Sequence, residues 1–106
     1  MGNVKELNSE NFDKFIDGDN TIIDFYAEWC GPCQMLKPVL EEVAKEANGI
    51  VKIGKVNVDD NTELAQRFEV RSIPALIFFK DRKQVHRMHG AVDKEKLLEE
   101  IDEQFW

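Results

Sequence analysis

Apolar residues recur along the chain with two periods, one close to a helical turn and one short and strand-like, and the switches between them predict the elements. Residues 4–7 form a short strand. Asn8 and Ser9 then cap a helix that turns Phe12, Phe15 and Ile16 inward, and Asp17-Gly18-Asp19-Asn20 stops it. Residues 21–27 are apolar on both faces except at Asp24, the pattern of a central strand covered on both sides. After Cys33, residues Met35, Leu36, Val39, Leu40, Val43, Ala44 and Ala47 keep helical spacing as far as Asn48-Gly49. Pro38 lies inside that run, where it removes one ladder bond and bends the axis. Residues 50–58 form the next strand. A short helix begins at Asp59-Asp60-Asn61-Thr62 and runs to Phe68, with Leu64 and Ala65 inward. Residues 75–80 and 84–88 pair as a hairpin about Asp81-Arg82-Lys83; the usual turn glycine is missing, which predicts a longer or strained turn. Asp93 caps a last helix that carries Leu97, Leu98 and Ile101 inward and ends at Phe105-Trp106. Early parallel crossovers followed by a late hairpin predict an α/β fold, a central mixed β-sheet flanked by helices on both faces.

Composition narrows the setting. The 106 residues suffice for one domain, 1–106, whose core needs no staple, and no repeat or Pro/Gly/Ser-rich linker divides it. No apolar run approaches the length of a membrane span. The start, Met1-Gly2-Asn3-Val4-Lys5-Glu6, lacks the apolar region of a secretory signal, and Glu6 stands where myristoylation needs Ser or Thr. A net charge of −7 opposes binding to nucleic acid or an anionic membrane. A cytoplasmic protein, monomeric by default, is expected.

The candidate chemistry lies in the only two cysteines, Cys30 and Cys33, within Trp29-Cys30-Gly31-Pro32-Cys33 at the start of the long helix. In a reducing compartment such a pair is more often catalytic or metal-binding than a structural cross-link. Residues three apart on a helical turn share a face, so the sulfurs come within disulfide reach and the pair opens and closes without unfolding the chain. Unpaired N–H groups and the helix dipole favour a thiolate at Cys30, the expected nucleophile. Cys33, one turn further in, is shielded and placed to resolve a mixed disulfide. Pro32 has no N–H and brings no charge, so it stabilises the thiolate less than histidine would, which makes a better reductant. A zinc site completed by His86 and His89 is the alternative, but two histidines three apart on a strand point to opposite faces. Asp24, a carboxylate on a strand covered on both sides, is expected to have a raised pKa and to exchange a proton near neutral pH, with Cys33 the group in need of deprotonation. A protonated His89 near this site would favour the Cys30 thiolate below neutral pH.

The stretch Asp24-Phe25-Tyr26-Ala27-Glu28-Trp29-Cys30-Gly31-Pro32-Cys33, followed by Arg71-Ser72-Ile73-Pro74-Ala75 and His89-Gly90-Ala91, resembles the thioredoxin family in order and spacing over essentially the whole chain. The Gly-Pro spacer is that of thioredoxins, whereas protein disulfide isomerases usually carry Gly-His. The resemblance implies the thioredoxin fold and a protein-disulfide reductase with no bound cofactor beyond its Cys30-Cys33 couple, recharged by a thioredoxin reductase and serving disulfide-containing client proteins. It implies that Asp24 lies beneath the active site and that Lys55, on the neighbouring strand, tunes it. Asp59 would accept the indole N–H of Trp29. Pro74 would be cis and face the disulfide, with Ile73 offering backbone to an extended substrate and Trp29, Gly31, Pro32, Gly90 and Ala91 completing a shallow apolar groove. Tyr26 stands where many relatives have tryptophan, an exchange of one buried aromatic for another. An oxidase or isomerase is the rival within redox chemistry, and a partner-clamping module the rival outside it.

Overall fold

The computed structural model describes residues 3–106; Met1 and Gly2, part of the chain start read for a targeting signal, lie outside the described residues. Its elements follow the predicted order: β1 (Val4–Glu6), α1 (Phe12–Phe15), β2 (Asn20–Tyr26), α2 (Gly31–Glu46), β3 (Lys52–Asn57), α3 (Thr62–Arg67), β4 (Ala75–Lys80), β5 (Lys83–His89) and α4 (Lys94–Phe105). The strands form one mixed sheet in the order β1-β3-β2-β4-β5. β3 runs parallel to both β1 and β2, while β4 is antiparallel to β2 and to β5. β2 is therefore bonded on both edges and covered on both faces, as its near-continuous apolar sequence requires.

Strand alternation divides the core in two. Ile22 and Ile53 join Leu36, Leu40, Val43, Leu97 and Ile101 beneath α2 and α4. Ile23, Phe25, Val56 and Ile77 point the other way and pack with Phe12, Ile16 and Leu64 of the α1 and α3 side. Asp24 and Lys55, which keep step with Ile22 and Ile53, consequently face α2. On the far side, Gly54 leaves the space that β1 and α1 fill. A Cβ built there would lie 2.6 Å from Leu7 Cδ1 and 2.9 Å from Phe15 Cε2.

Two local expectations are corrected and a third is narrowed. The N-cap of α1 is Asn11; Asn8 acts earlier, its side-chain oxygen accepting the N–H groups of Glu10 and Asn11 in an Asx turn. Met35 is 70% exposed, because the buried stripe of α2 runs through Cys33, Leu36, Leu40, Val43 and Ala44 and Met35 falls beside it. The β4–β5 turn, expected to be longer or strained, is not longer but strained: Lys80 pairs with Lys83 and only Asp81 and Arg82 lie between. Both adopt left-handed angles, φ 48° and 72°, which suit the twist of a two-residue hairpin. Without glycine this costs about 1 kcal/mol per residue. Contacts to the α1–β2 loop offset it: Gly18 N–H donates to Asp81, Arg82 N–H donates to the Ile16 carbonyl, and the Arg82 guanidinium meets Asp17 at 2.9 Å.

At the other end of the sheet α4 is capped as expected, Asp93 accepting the Lys96 N–H at 2.8 Å. Its inner face also buries Glu100, which meets His86 at 3.0 Å and Lys96 at 3.2 Å.

Candidate active site

Cys30 is the N-cap of α2, with Gly31 and Pro32 opening the helix behind it. Its φ and ψ of −87° and 112° are extended, which turns the side chain back across the first turn, and its Sγ accepts the Cys33 N–H at 3.2 Å. A sulfur thus stands where Ser or Asp ordinarily caps a helix, on a backbone donor that has no other acceptor. That bond and the dipole behind it favour negative charge on Cys30 once the sulfur is reduced.

The two cysteines are joined as a disulfide, their Cα atoms 5.2 Å apart. Exposure hardly separates them, at 5% for Cys30 and 3% for Cys33. Cys33 is shielded as expected but Cys30 nearly as much, so the asymmetry is in what each sulfur meets. Cys30 Sγ lies 3.9 Å from the Ile73 carbonyl oxygen, beside the cis Ile73–Pro74 bond. Cys33 instead lines a cleft of about 1100 Å³ between α2 and the sheet, shared with Asp24, Tyr26 and Lys55.

Asp24 is 3% exposed and its Oδ1, fully buried, finds no hydrogen-bond partner among the described residues. Burial pushes its pKa up to about 7, opposed by the positive charge of Lys55 and assisted by the negative charge of Glu6. Those two groups lie in one row. Asp24 pairs with Lys55 across β2 and β3, and Lys55 pairs with Glu6 across β3 and β1. Lys55 Nζ is 3.8 Å from Glu6 and 5.3 Å from the centre of the Tyr26 ring, while the Tyr26 hydroxyl donates to the same Glu6 oxygen at 2.7 Å. Burial and the Glu6 carboxylate together raise the Tyr26 pKa. Tyr26 is therefore half-exposed and hydrogen-bonded, not a buried substitute for tryptophan.

Around the disulfide, Trp29 is 72% exposed and its indole N–H donates to Asp59 at 2.8 Å, which fixes the ring's orientation. Gly31, Pro32 and Ala91 are exposed, Ile73 and Gly90 are half-buried, and Pro74 lies beneath them. The Gly90 N–H donates to the Pro74 carbonyl at 2.9 Å, joining the end of β5 to this rim. His89 is exposed on β5 opposite Ala75, whereas His86 is turned to Glu100, so the two do not converge on the cysteines. Among the described residues no group of three or more His, Cys, Asp and Glu is arranged to hold a metal ion. Glu6 and the hydroxyl of Tyr26 are the site's unanticipated members. The alternation of β1 puts Glu6 on the face of Val4, but its meeting with Lys55 depends on a register between strands far apart in the chain.

The thioredoxin family model matches residues 3–103. A thioredoxin of Chlamydia pneumoniae is 50% identical over 93% of this chain and 96% of its own. One from Staphylococcus haemolyticus is 44% identical over 93% and 95%. Among solved structures, Malassezia sympodialis thioredoxin superposes with a TM-score of 0.89 at 34% identity, covering 100% of this chain and 94% of the other. A mutant thioredoxin from Halobacterium salinarum gives 0.89 at 35%, covering 96% and 90%.

Proposed function

The chain belongs to the thioredoxin family, as a redox protein that works by thiol–disulfide exchange through Cys30 and Cys33, and from that premise we propose how its residues divide the work of a protein-disulfide reductase. In the reduced protein the Cys30 thiolate attacks one sulfur of a client disulfide; a Cys30–client bond forms, the client S–S bond breaks and the other client sulfur leaves as thiolate. Asp24 takes the proton of Cys33 through the cleft that both groups line. The Cys33 thiolate then attacks Cys30 Sγ, releasing the client's second thiolate and leaving the Cys30–Cys33 disulfide. Two electrons have passed to the client.

Trp29, Gly31, Pro32, Ile73, Pro74, Gly90 and Ala91 form the docking rim, with the Ile73 backbone pairing to an extended client segment. Asp59 steadies Trp29, and Lys55 tunes Asp24. Residues 1–106 act as one domain, monomeric and cytoplasmic, that binds no cofactor of its own. No described helix is long and apolar enough to cross a membrane. The family implies disulfide clients and a reductase, which we assign as a thioredoxin reductase.

The observation that carries this division is the position of Cys30 as N-cap, its sulfur accepting the Cys33 N–H. Alkylation of the reduced protein tests it. Cys30 should react at neutral pH at least tenfold faster than an unperturbed thiol, with Cys33 the slower of the pair. Cys33→Ser should strand clients on Cys30. Equal, ordinary rates at both sulfurs would overturn the assignment.

A further inference from the structure

Lys55 stands between two carboxylates in a row that crosses three strands, Asp24 on β2 and Glu6 on β1, and its ion pair is with Glu6. Among the described residues it makes none with Asp24. The Tyr26 hydroxyl ties down the Glu6 oxygen at 2.7 Å, and the Tyr26 ring lies under the ammonium at 5.3 Å. Glu6 is itself largely exposed. Among the described residues its side-chain hydrogen bond and ion pair go to Tyr26 and Lys55, and none to the docking rim or the disulfide.

We propose that Glu6, braced by Tyr26, is a positioning residue that holds Lys55 away from Asp24 and so sets the proton affinity of the group that serves Cys33. This rests on the reading of Asp24 as the proton acceptor. The competition is electrostatic: a cation within about 4–6 Å stabilises a carboxylate, and its effect weakens as another anion draws it off. Glu6 acts twice in the same sense, by occupying Lys55 and by placing a second negative charge near Asp24. The balance at Asp24 has these signs, with burial raising its pKa first, Lys55 lowering it and Glu6 raising it again. The cleft that Asp24 lines is also lined by the ionisable groups of Tyr26 on β2, Glu28 in the β2–α2 loop, Cys33, Lys37, Glu41 and Lys45 on α2, Lys52 on β3, Lys5 on β1 and Asp19 before β2. Glu6 lies outside that lining, and among the described residues it is the one acidic side chain in an ion pair with Lys55.

A carbon-detected titration of the Asp24 carboxyl in the oxidised protein decides the matter. Glu6→Gln frees Lys55, so the Asp24 midpoint should fall by about one pH unit. Tyr26→Phe, which keeps the Glu6 charge but loses the hydroxyl, should lower it by less. In a Lys55→Met background, less than half of the Glu6→Gln effect should remain. No fall in Glu6→Gln would overturn the proposal, as would a fall that persists by half or more without Lys55, since Glu6 would then act only as a distant charge. The pH at which client reduction reaches half its plateau should move with the midpoint. The underlying reading is tested separately: if Asp24→Asn reduces clients at the wild-type rate, Asp24 has no part in proton transfer, while the titration still reports whether Glu6 governs Lys55.

Discussion

A buried carboxylate without a hydrogen-bond partner at one oxygen resists its charge, and Asp24 is such a group. Its pKa of about 7 in the folded chain lies above the ordinary aspartate value of 3.8, so folding favours the protonated form. Stability contributed by that form is complete below about pH 4 and is lost as pH rises through 7. Ionised Asp24 should therefore cost up to about 4 kcal/mol at pH 8. Asp24→Asn should be the more stable protein in urea unfolding at pH 8, with the difference shrinking toward pH 4, and the slower in reducing clients. Asp24 was legible in the sequence because one acidic residue interrupts an otherwise apolar strand. Its neighbours were less so. Lys55 alone reads equally well as a solvated strand residue and Asp59 as a helix-start residue until the family resemblance gives them partners, and Glu6 lies in a strand too short to show a period.

Among the elements, local rules held at several caps and boundaries, though not at the N-cap of α1. The Asp93 cap, the position of Cys30 at the head of α2 and the boundaries of β4 follow from the sequence. They failed where distant segments decide. The Asp81-Arg82 turn adopts glycine-like angles because the α1–β2 loop holds it by three contacts, which no local pattern displays. Met35 satisfies the helical period yet lies beside the buried stripe, since the width of that stripe is set by what packs on it. Gly54 marks another such decision, on β3. Gly54→Ala would drive a methyl group into Leu7 and Phe15, and as Leu7 is buried the clash should cost about 1–3 kcal/mol in thermal or urea unfolding.

At the scale of the molecule, the two large core clusters contain neither cysteine, so the redox couple sits on the fold without holding it together. The disulfide closes a loop of only four residues, which on chain-entropy grounds is worth about 2 kcal/mol. The reduced protein should stay folded, with an unchanged far-ultraviolet circular dichroism spectrum and an unfolding free energy in urea lowered by no more than that amount. A collapse on reduction would contradict the division of core from couple. The sheet that carries both is one backbone thick, and this gives the notch at Gly54 a reach beyond its own side. Leu7, seated in that notch, anchors the opening strand from below, while the adjacent Glu6 hangs above it beside Lys55. If Glu6 holds Lys55 as proposed, loosening the seat underneath should also shift the Asp24 midpoint, so that Gly54→Ala is felt on both faces of the sheet.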